Sequence, residues 1–464
     1  MRLLRHSNQV DMTHGPLTRK IIVFALPLIA SGILQQSFNA VDVAVIGHYS
    51  SNFAIAAVGS NGPIISILLN LFIGIAVGAN VVIAKYIGER RTDLIKDAVS
   101  TVIIISILSG VFLLFAGTLL ARPILEAMSA PPDVIGSATT YLRIFFCGTP
   151  FMMVYNFGGA ILRSIGDTAK LFYSLLIATI CNLILDLIFV AIFNWGVEGV
   201  AWATVISNAV NATVMLYYLH KEPRPYTVGF KFREWHLSMP DLRKMLAIGV
   251  PAGLQGMVFS ISNIFIQSAI NRFGADAIAG SAAALTYEAY CYYIIAGLCG
   301  ATIAFTSQNF GAAEPRRCRK VWFICMALSV IACGSANAVI IWQSSMFLSV
   351  FTTSAIVVHY ASIRFTHVLA WQCLASSYEI SGSYMRGLGY STTPMILTIL
   401  GTCVFRLAWV GIFPDIDYSF QTLLDIYPIT WVITGLMVIS AALIVQRLAF
   451  RKLKRRRQQT EAVA

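Results

Sequence analysis

The sequence predicts an all-α polytopic membrane protein in which twelve transmembrane helices form two parallel six-helix repeats. Two observations predict this fold class: the apolar residues fall in long runs, and the second half of the chain repeats the first. Of the 464 residues, 57% are hydrophobic and 12% are charged, which is roughly half the charged fraction of soluble domains. A membrane β-barrel would instead show short segments of alternating polarity.

Twelve apolar segments reach the length of about 20 residues that a helix needs to cross a bilayer. Several segments are longer, which permits tilted or kinked helices. The twelve segments are residues 18–47, 57–86, 97–120, 134–162, 170–194, 197–218, 244–270, 279–308, 319–342, 358–385, 392–413 and 424–448.

Lys and Arg are concentrated in alternate loops. The loops 48–54 and 194–199 contain none. The basic clusters are the N-terminal tail, 88–96, 162–170, 220–244, 314–320 and 451–457. Cytoplasmic loops carry such an excess, so we expect a multi-pass protein of the cytoplasmic membrane with both termini in the cytoplasm. This topology, with attraction to anionic lipid, accounts for the net charge of +12 without a nucleic-acid partner.

An internal repeat with an almost constant offset relates the two halves of the chain. Tyr155 and Arg163 match Tyr378 and Arg386, 223 positions later. The aligned segments are YNFGGAILRSIGD (155–167) with YEISGSYMRGLGY (378–390), GIAVGANVVIAKYIG (74–88) with GLCGATIAFTSQNFG (297–311) and, at offset 224, FALP (24–27) with IGVP (248–251). Copies with an even number of spans share one orientation, and such parallel repeats are typical of secondary transporters.

The repeat divides the chain into four parts. We predict an N-terminal six-helix lobe at 1–218, a basic cytoplasmic linker at 219–243, a C-terminal six-helix lobe at 244–448 and a basic cytoplasmic tail at 449–464.

Two carboxylates lie inside predicted spans of the first copy only. Asp42 corresponds to Ile266 at offset 224, and Asp186 corresponds to Trp409 at offset 223. Charged side chains in the hydrocarbon are costly and mark candidate functional sites. Packing needs shared by both copies cannot explain these two, because the second copy lacks them. The alternative is a hydrogen-bonded network that only fixes helix packing.

Polar residues recur at helical spacing around these carboxylates. Residues spaced by four or seven positions share one helix face. The polar faces are Gln35, Asn39 and Asp42 on the first helix, Asn182 and Asp186 on the fifth, and Thr204, Asn208 and Asn211 on the sixth. Two carboxylates in one cavity cannot both be ionised cheaply, so Asp42 and Asp186 would carry a proton or bind sodium through their oxygen atoms. The lobe at 1–218 would therefore hold a cation site, with Gln35, Asn39 and Asn208 as a supporting network.

The first helix also contains Pro27, about four turns before Asp42. Proline removes a backbone hydrogen bond and bends a helix. The bend would make this helix a moving part or would be a static kink.

The second copy contains charged residues of its own. Glu288 lies beside Tyr287 and Tyr290, and a carboxylate among aromatic rings attracts an organic cation. These three residues are candidate substrate contacts; the alternative is a belt of interfacial tyrosines. Glu379 and Arg406 would pair with each other.

Several motifs together resemble the multidrug and toxic compound extrusion (MATE) transporters. They are the first-helix pattern of Pro27 followed by QQSFNAVDVAVIGH, the IGER and FGAAEP loops, and RSIGD and RGLGY after the fourth and tenth helices. The resemblance covers essentially the whole chain. It implies a V-shaped pair of lobes, alternating access, and the export of drug-like cationic amphiphiles in exchange for a proton or sodium.

The resemblance also implies a site. One branch of the family uses a first-helix aspartate with an Asn-x-x-x-Asp pair on the fifth helix, which Asp42, Asn182 and Asp186 match, and Thr204 matches a threonine of that site. Another branch uses a glutamate in the middle of the seventh helix. That region here is GVPAGLQGMVFSISN, which has no carboxylate, so the N-terminal site is favoured.

Three rival classes fit the sequence less well. A flippase for lipid-linked sugar precursors, from the same superfamily, would have a more cationic cavity. An intramembrane transferase would have clustered aspartates for magnesium, and a receptor would not need carboxylates confined to one copy. We therefore expect no enzyme activity, no cofactor besides the coupling proton or sodium, and no bound metal apart from sodium at Asp42 and Asp186. We also expect small-molecule substrates and a monomer.

Overall fold

A computed structural model describes residues 9–49, 52–127, 132–223, 225–226 and 235–463. Within these residues the chain is helical and contains no strand. The helices are α1 (Leu17–Tyr49), α2 (Asn52–Gly88), α3 (Thr92–Ala127), α4 (Pro132–Cys147), α5 (Thr149–Ile165), α6 (Ala169–Asp186), α7 (Gly196–Lys221), α8 (Met239–Asn271), α9 (Ala275–Gly311), α10 (Pro315–Trp342), α11 (Ser344–Ser349), α12 (Ala355–His367), α13 (Ser376–Gly387), α14 (Thr392–Thr398), α15 (Phe405–Ile416), α16 (Phe420–Leu424) and α17 (Ile426–Val463).

The predicted class, an all-α polytopic membrane protein, is confirmed. Among the described residues, 10 helices are long and apolar enough to cross a membrane, and the count is 11 if α4 and α5, bent by 46°, form one span. The predicted span 358–385 is broken, because a 3-10 segment at Leu369–Ala375 separates α12 from α13. Two other spans contain π-helical segments, Leu187–Ile192 after α6 and Ile399–Val404 before α15.

The internal repeat is also visible in the backbone. Gly166 follows α5 with φ 92° and Gly389 follows α13 with φ 91°, and the two glycines are 223 positions apart. Only glycine adopts this left-handed conformation without strain, so the RSIG and RGLG motifs end equivalent helices in the same way.

The chain forms two compact units. The first unit contains residues up to Val10 and Ala30–Gly253, and the second contains Asp11–Ile29 and Leu254–Ala464. The boundaries therefore fall inside α1 and α8, and Ile29 and Gly253 are related by the repeat offset of 224. The compact units follow packing, whereas the predicted lobes follow the sequence repeat, so the predicted lobe boundaries stay a prediction.

In the first unit, α8 packs closely on α2. A Cβ atom on Gly74 would lie 2.2 Å from the Gly253 nitrogen, and one on Gly78 would lie 2.1 Å from the Met245 carbonyl oxygen. The two backbones can approach this closely only because no side chain lies between them. At the end of the same seam, the Tyr86 hydroxyl donates to buried Asp241 (2.5 Å).

In the second unit, the segment before α1 is held on α9 and α10. Met12 is fully buried, and its carbonyl oxygen accepts from the Asn309 side-chain amide (3.0 Å) and from Arg317 (3.3 Å). Phe24 of α1 then packs edge-on against Phe305 of α9, with ring centroids 5.5 Å apart. The start of α1 is thus part of the core of the second unit.

Candidate functional site

Two helices of the first unit bring the predicted carboxylates together. Asp42 lies near the end of α1, and Asp186 is the last residue of α6, where the π-helical segment begins. Such π segments are frequent at functional sites because they re-aim the side chains around them. Asp186 and Asn182 are 0% and 1% exposed, and Asp42 is 7% exposed.

Asn182 joins the two carboxyl groups. Its side-chain nitrogen lies 2.9 Å from Asp186 Oδ2 and 3.0 Å from Asp42 Oδ1, in the amide orientation that satisfies the network. The amide has two hydrogens and donates one to each carboxyl group. The i, i+4 spacing of Asn182 and Asp186 makes this possible, because both side chains leave the same face of α6.

No basic side chain balances the carboxyl pair. Among the described residues, no Lys, Arg or His lies within 4.0 Å of either carboxyl group, and Asp186 Oδ1 is buried with no hydrogen-bond partner. Removing a carboxylate from water without a partner costs several kcal/mol. The pair is therefore stable only when a proton or a cation reduces its charge, and its oxygen atoms can bind either.

Tyr141 of α4 is a buried residue within electrostatic reach of this site, and the sequence reasoning missed it. It is 6% exposed, and the charges of both Asp42 and Asp186 act on its hydroxyl. Its repeat copy is Arg364, so the same comparison of copies that singled out Asp42 would have marked this position.

The other predicted residues of the first copy have varied surroundings. Thr204 of α7 is buried and donates to the Val200 carbonyl oxygen (2.9 Å), with no hydrogen bond to the carboxyl pair among the described contacts. Asn208 is half-buried and Gln35 is exposed. The side chain of Asn39 lies outside the described residues. Their supporting roles stay predictions.

The α1 helix is continuous across Pro27, which is half-buried in the part of α1 that belongs to the second unit. Its role as a moving bend stays a prediction.

In the second unit, the Glu288 carboxylate is already paired. Arg364 of α12 donates to both of its oxygen atoms, at 2.6 and 2.9 Å. The Tyr287 hydroxyl donates to the Phe347 carbonyl oxygen (2.7 Å), and Tyr290 is half-buried. This pairing disfavours Glu288 as a substrate contact. Its partner Arg364 was missed by sequence reasoning, although the comparison of copies marks this position, because its repeat copy is Tyr141.

The expected Glu379–Arg406 pair does not form. Glu379 accepts from the Tyr292 hydroxyl (3.3 Å), and the Arg406 guanidinium lies over the Tyr427 ring, 4.3 Å from its centroid.

A duplicated helical membrane protein with buried carboxyl groups inside one copy has the features typical of a secondary transporter. The MatE family model matches residues 27–188 and 251–409, which is more than half of the chain. The chain therefore belongs to the MatE family, and the resemblance noted in its motifs is confirmed.

Relatives in the same family are similar along most of their length. The chain is 29% identical to the probable multidrug resistance protein YoeA of Bacillus subtilis, over 82% of this chain and 83% of that protein. It is 23% identical to the multidrug export protein MepA of Staphylococcus aureus, over 83% and 85%. These proteins are transporters and not enzymes.

Solved structures show the same fold. A multidrug resistance MATE family transporter of the MOP superfamily, solved in an outward-facing conformation, matches with a TM-score of 0.86 and 22% identity, covering 97% of this chain and 100% of that one. A MATE structure in the straight conformation matches with a TM-score of 0.86. The two-lobe transporter fold predicted from the repeat is thereby confirmed.

Proposed function

We propose that this protein is a cation-coupled antiporter. It exports drug-like cationic amphiphiles across the cytoplasmic membrane by alternating access, in exchange for a proton or sodium ion that binds at Asp42 and Asp186. It works as a monomer with both termini in the cytoplasm. The names of its relatives support multidrug export, and the basic loops support the orientation.

One observation carries the proposal: two buried carboxyl groups share a single neutral bridge and have no basic partner. A pair that had a purely structural role would be balanced by Lys or Arg, as Glu288 is by Arg364. The charge of the Asp42–Asp186 pair is instead neutralised by a proton or sodium ion that binds reversibly.

Each residue has a definite task in this mechanism. With a proton or sodium ion bound, the pair is close to neutral and tolerates burial. When the ion leaves, at least one carboxylate is uncompensated, and the unit must adopt a conformation that hydrates it. Asn182 donates to both carboxyl groups and so keeps them together in either charge state. Coupling requires only that the ion and the exported cation favour different conformations.

The test is export of ethidium from energised membrane vesicles at equal expression. Wild type is compared with Asp42→Asn and Asp186→Asn, with a proton gradient and a sodium gradient imposed separately. Asp276→Asn is the matched control, because Asp276 is an exposed carboxylate at the start of α9. We expect wild type and the control to export and both site variants to fail. The gradient that drives export identifies the ion.

Export by Asp42→Asn at the wild-type rate would contradict the coupling role of this site. A wild type that moves no cation under either gradient would contradict cation antiport and would favour the lipid-linked sugar flippase. Lipid-linked precursors would then be the substrates to assay.

A further inference from the structure

The second unit contains a buried cluster at the position that repeats the cation site. Arg364, Arg406 and Tyr427 correspond to Tyr141, Leu183 and Thr204 at the repeat offset of 223. Tyr141 lies at the carboxyl pair, Leu183 follows Asn182, and Thr204 is the predicted threonine of that site. Arg364 thus occupies the position that repeats Tyr141, and Arg406 the position that follows the repeat copy of Asn182.

Two guanidinium groups lie close to the aromatic ring of Tyr427. The Arg406 guanidinium carbon is 4.3 Å from the ring centroid, and that of Arg364 is 5.6 Å away. Both arginines are 3% exposed. They come from α12 and α15, and Tyr427 from the start of α17, so three helices bring two positive charges to one ring.

The two arginines differ in their partners. Arg364 makes two hydrogen bonds to Glu288 and a third to the Ser281 hydroxyl (2.7 Å). Arg406 has no carboxylate within 4.0 Å among the described residues, and its Nε is buried without a hydrogen-bond partner. The cluster therefore holds two fixed positive charges and one negative charge.

The ring of Tyr427 is too weak a partner for this charge. The free energy gained from a cation–π contact is much smaller than the free energy that burial of an unpaired ion costs. A guanidinium also keeps its proton at any ordinary pH. A buried carboxylate can become neutral by protonation, but Arg406 cannot. Its charge needs an anionic group.

The helix that completes the cation site has its counterpart here too. Asp42 of α1 is repeated by Ile266 of α8, which is buried and brings no charge. One turn earlier on α8, the Ser262 hydroxyl is 1% exposed. Its neighbour is the Cys403 thiol, which is also within electrostatic reach of Arg406. A hydroxyl and a guanidinium can both donate hydrogen bonds to an anion.

We propose that Arg406, with Tyr427, forms a binding site for a singly charged anionic group in the second unit. The group is a small inorganic anion such as chloride or the carboxylate of an organic molecule that the protein carries. The site lies close in sequence to the positions that repeat the carboxyl pair, and neither the family resemblance nor the proposed antiport requires it.

The first experiment measures thermal stability of the purified full chain in detergent. Chloride, and separately benzoate, is titrated at constant ionic strength against methanesulfonate. A ligand that binds only the folded protein raises its melting temperature, and we expect a rise of about 2 °C at saturating anion. Arg406→Gln should lose this rise. Arg272→Gln should keep it, because Arg272 is an exposed arginine at the end of α8.

Two outcomes would overturn the site. One is a wild type whose melting temperature responds to neither anion, and the other is an Arg406→Gln variant that responds as wild type does. If Arg406→Gln does not fold, the Arg406→Lys variant tests the site instead. The lysine should keep the response at anion concentrations higher by about tenfold, since it cannot reproduce the planar guanidinium. An unchanged concentration dependence would count against the site. The assay involves no transport, so its result is independent of the proposed antiport.

A second experiment distinguishes the two sources of the anionic group. Rhodamine 110 carries a free carboxyl group and rhodamine 123 is its methyl ester, so the pair differs only at the group in question. If the site takes the carboxylate of a carried molecule, Arg406→Gln should reduce transport of rhodamine 110 by about tenfold and leave rhodamine 123 unaffected. If it takes a free anion, both dyes should be affected equally, and wild-type transport should depend on chloride.

Discussion

Glu288 and Arg364 form a bidentate ion pair inside the second unit, and its removal should have an asymmetric effect. The hydrogen bonds measure 2.6 and 2.9 Å, and the side chains are 8% and 3% exposed. Breaking such a buried pair by removing one partner costs about 3–5 kcal/mol. Glu288→Gln leaves the guanidinium charged, because arginine keeps its proton. Arg364→Met leaves a carboxylate that can take up a proton, so it should destabilise less.

The assay is a double-mutant cycle on apparent melting temperature, at one scan rate because unfolding of membrane proteins is often irreversible. We expect Glu288→Gln to lower the melting temperature most, Arg364→Met less, and the double variant Glu288→Gln/Arg364→Met to recover part of the loss, because neither new side chain is charged and no buried ion is left without a partner. Additive losses in the double variant would refute the reasoning, since they would mean that the two side chains do not stabilise each other.

Three further outcomes are expected. Tyr141→Phe keeps the ring but removes the hydroxyl that lies within electrostatic reach of both carboxyl groups, so ethidium export should fall at unchanged expression; export at the wild-type rate would remove Tyr141 from the site. Gly74→Ala places a methyl group 2.2 Å from the facing backbone and should destabilise by about 1–3 kcal/mol, whereas Gly136→Ala, with nothing within 4 Å of its Cβ, should melt no lower than wild type, because alanine favours the helix. Partial burial raises the pKa of Asp11, but hydrogen bonds from Thr13 outweigh it and hold the pKa below its usual value. Its contribution is therefore present above about pH 4 and is lost as the pH falls through the lowered pKa. Asp11→Ala should accordingly lower the melting temperature slightly at neutral pH, with a difference that shrinks on acidification; a difference that grows in acid would contradict this sign.

The sequence contained enough to predict the helices and the centre of the candidate site. Long apolar runs specify membrane helices because the bilayer leaves a chain few alternatives. The comparison of copies then isolated Asp42 and Asp186, and helical spacing placed Asn182 beside Asp186. The structure adds the contact between α1 and α6 that brings the three side chains to hydrogen-bonding distance.

Partners that come from distant helices could not be predicted in this way. Arg364 is 76 positions from Glu288, and no periodicity relates two residues on different helices. The partners of Glu379 and Arg406 could not be predicted either. The two side chains have opposite charges, but each one contacts a tyrosine instead of the other. Charge alone suggests pairs, and only packing selects among them. The break in the span 358–385 was missed for a related reason. The 3-10 segment contains neither glycine nor proline, so the sequence has no helix-breaking residue there.

The boundaries of the compact units determine the order in which this protein can be assembled. The first unit includes α8 up to Gly253, and the second includes Asp11–Ile29. During synthesis, the N-terminal stretch that ends at Ile29 therefore has no packing partner until α9 and α10 have been made, more than half of the chain later. The first unit in turn stays incomplete until Gly253 has been made. A gene cut in the linker at 219–243 would yield two fragments, each lacking a helix segment that only the other supplies, so the halves should accumulate when produced together and be degraded when produced alone.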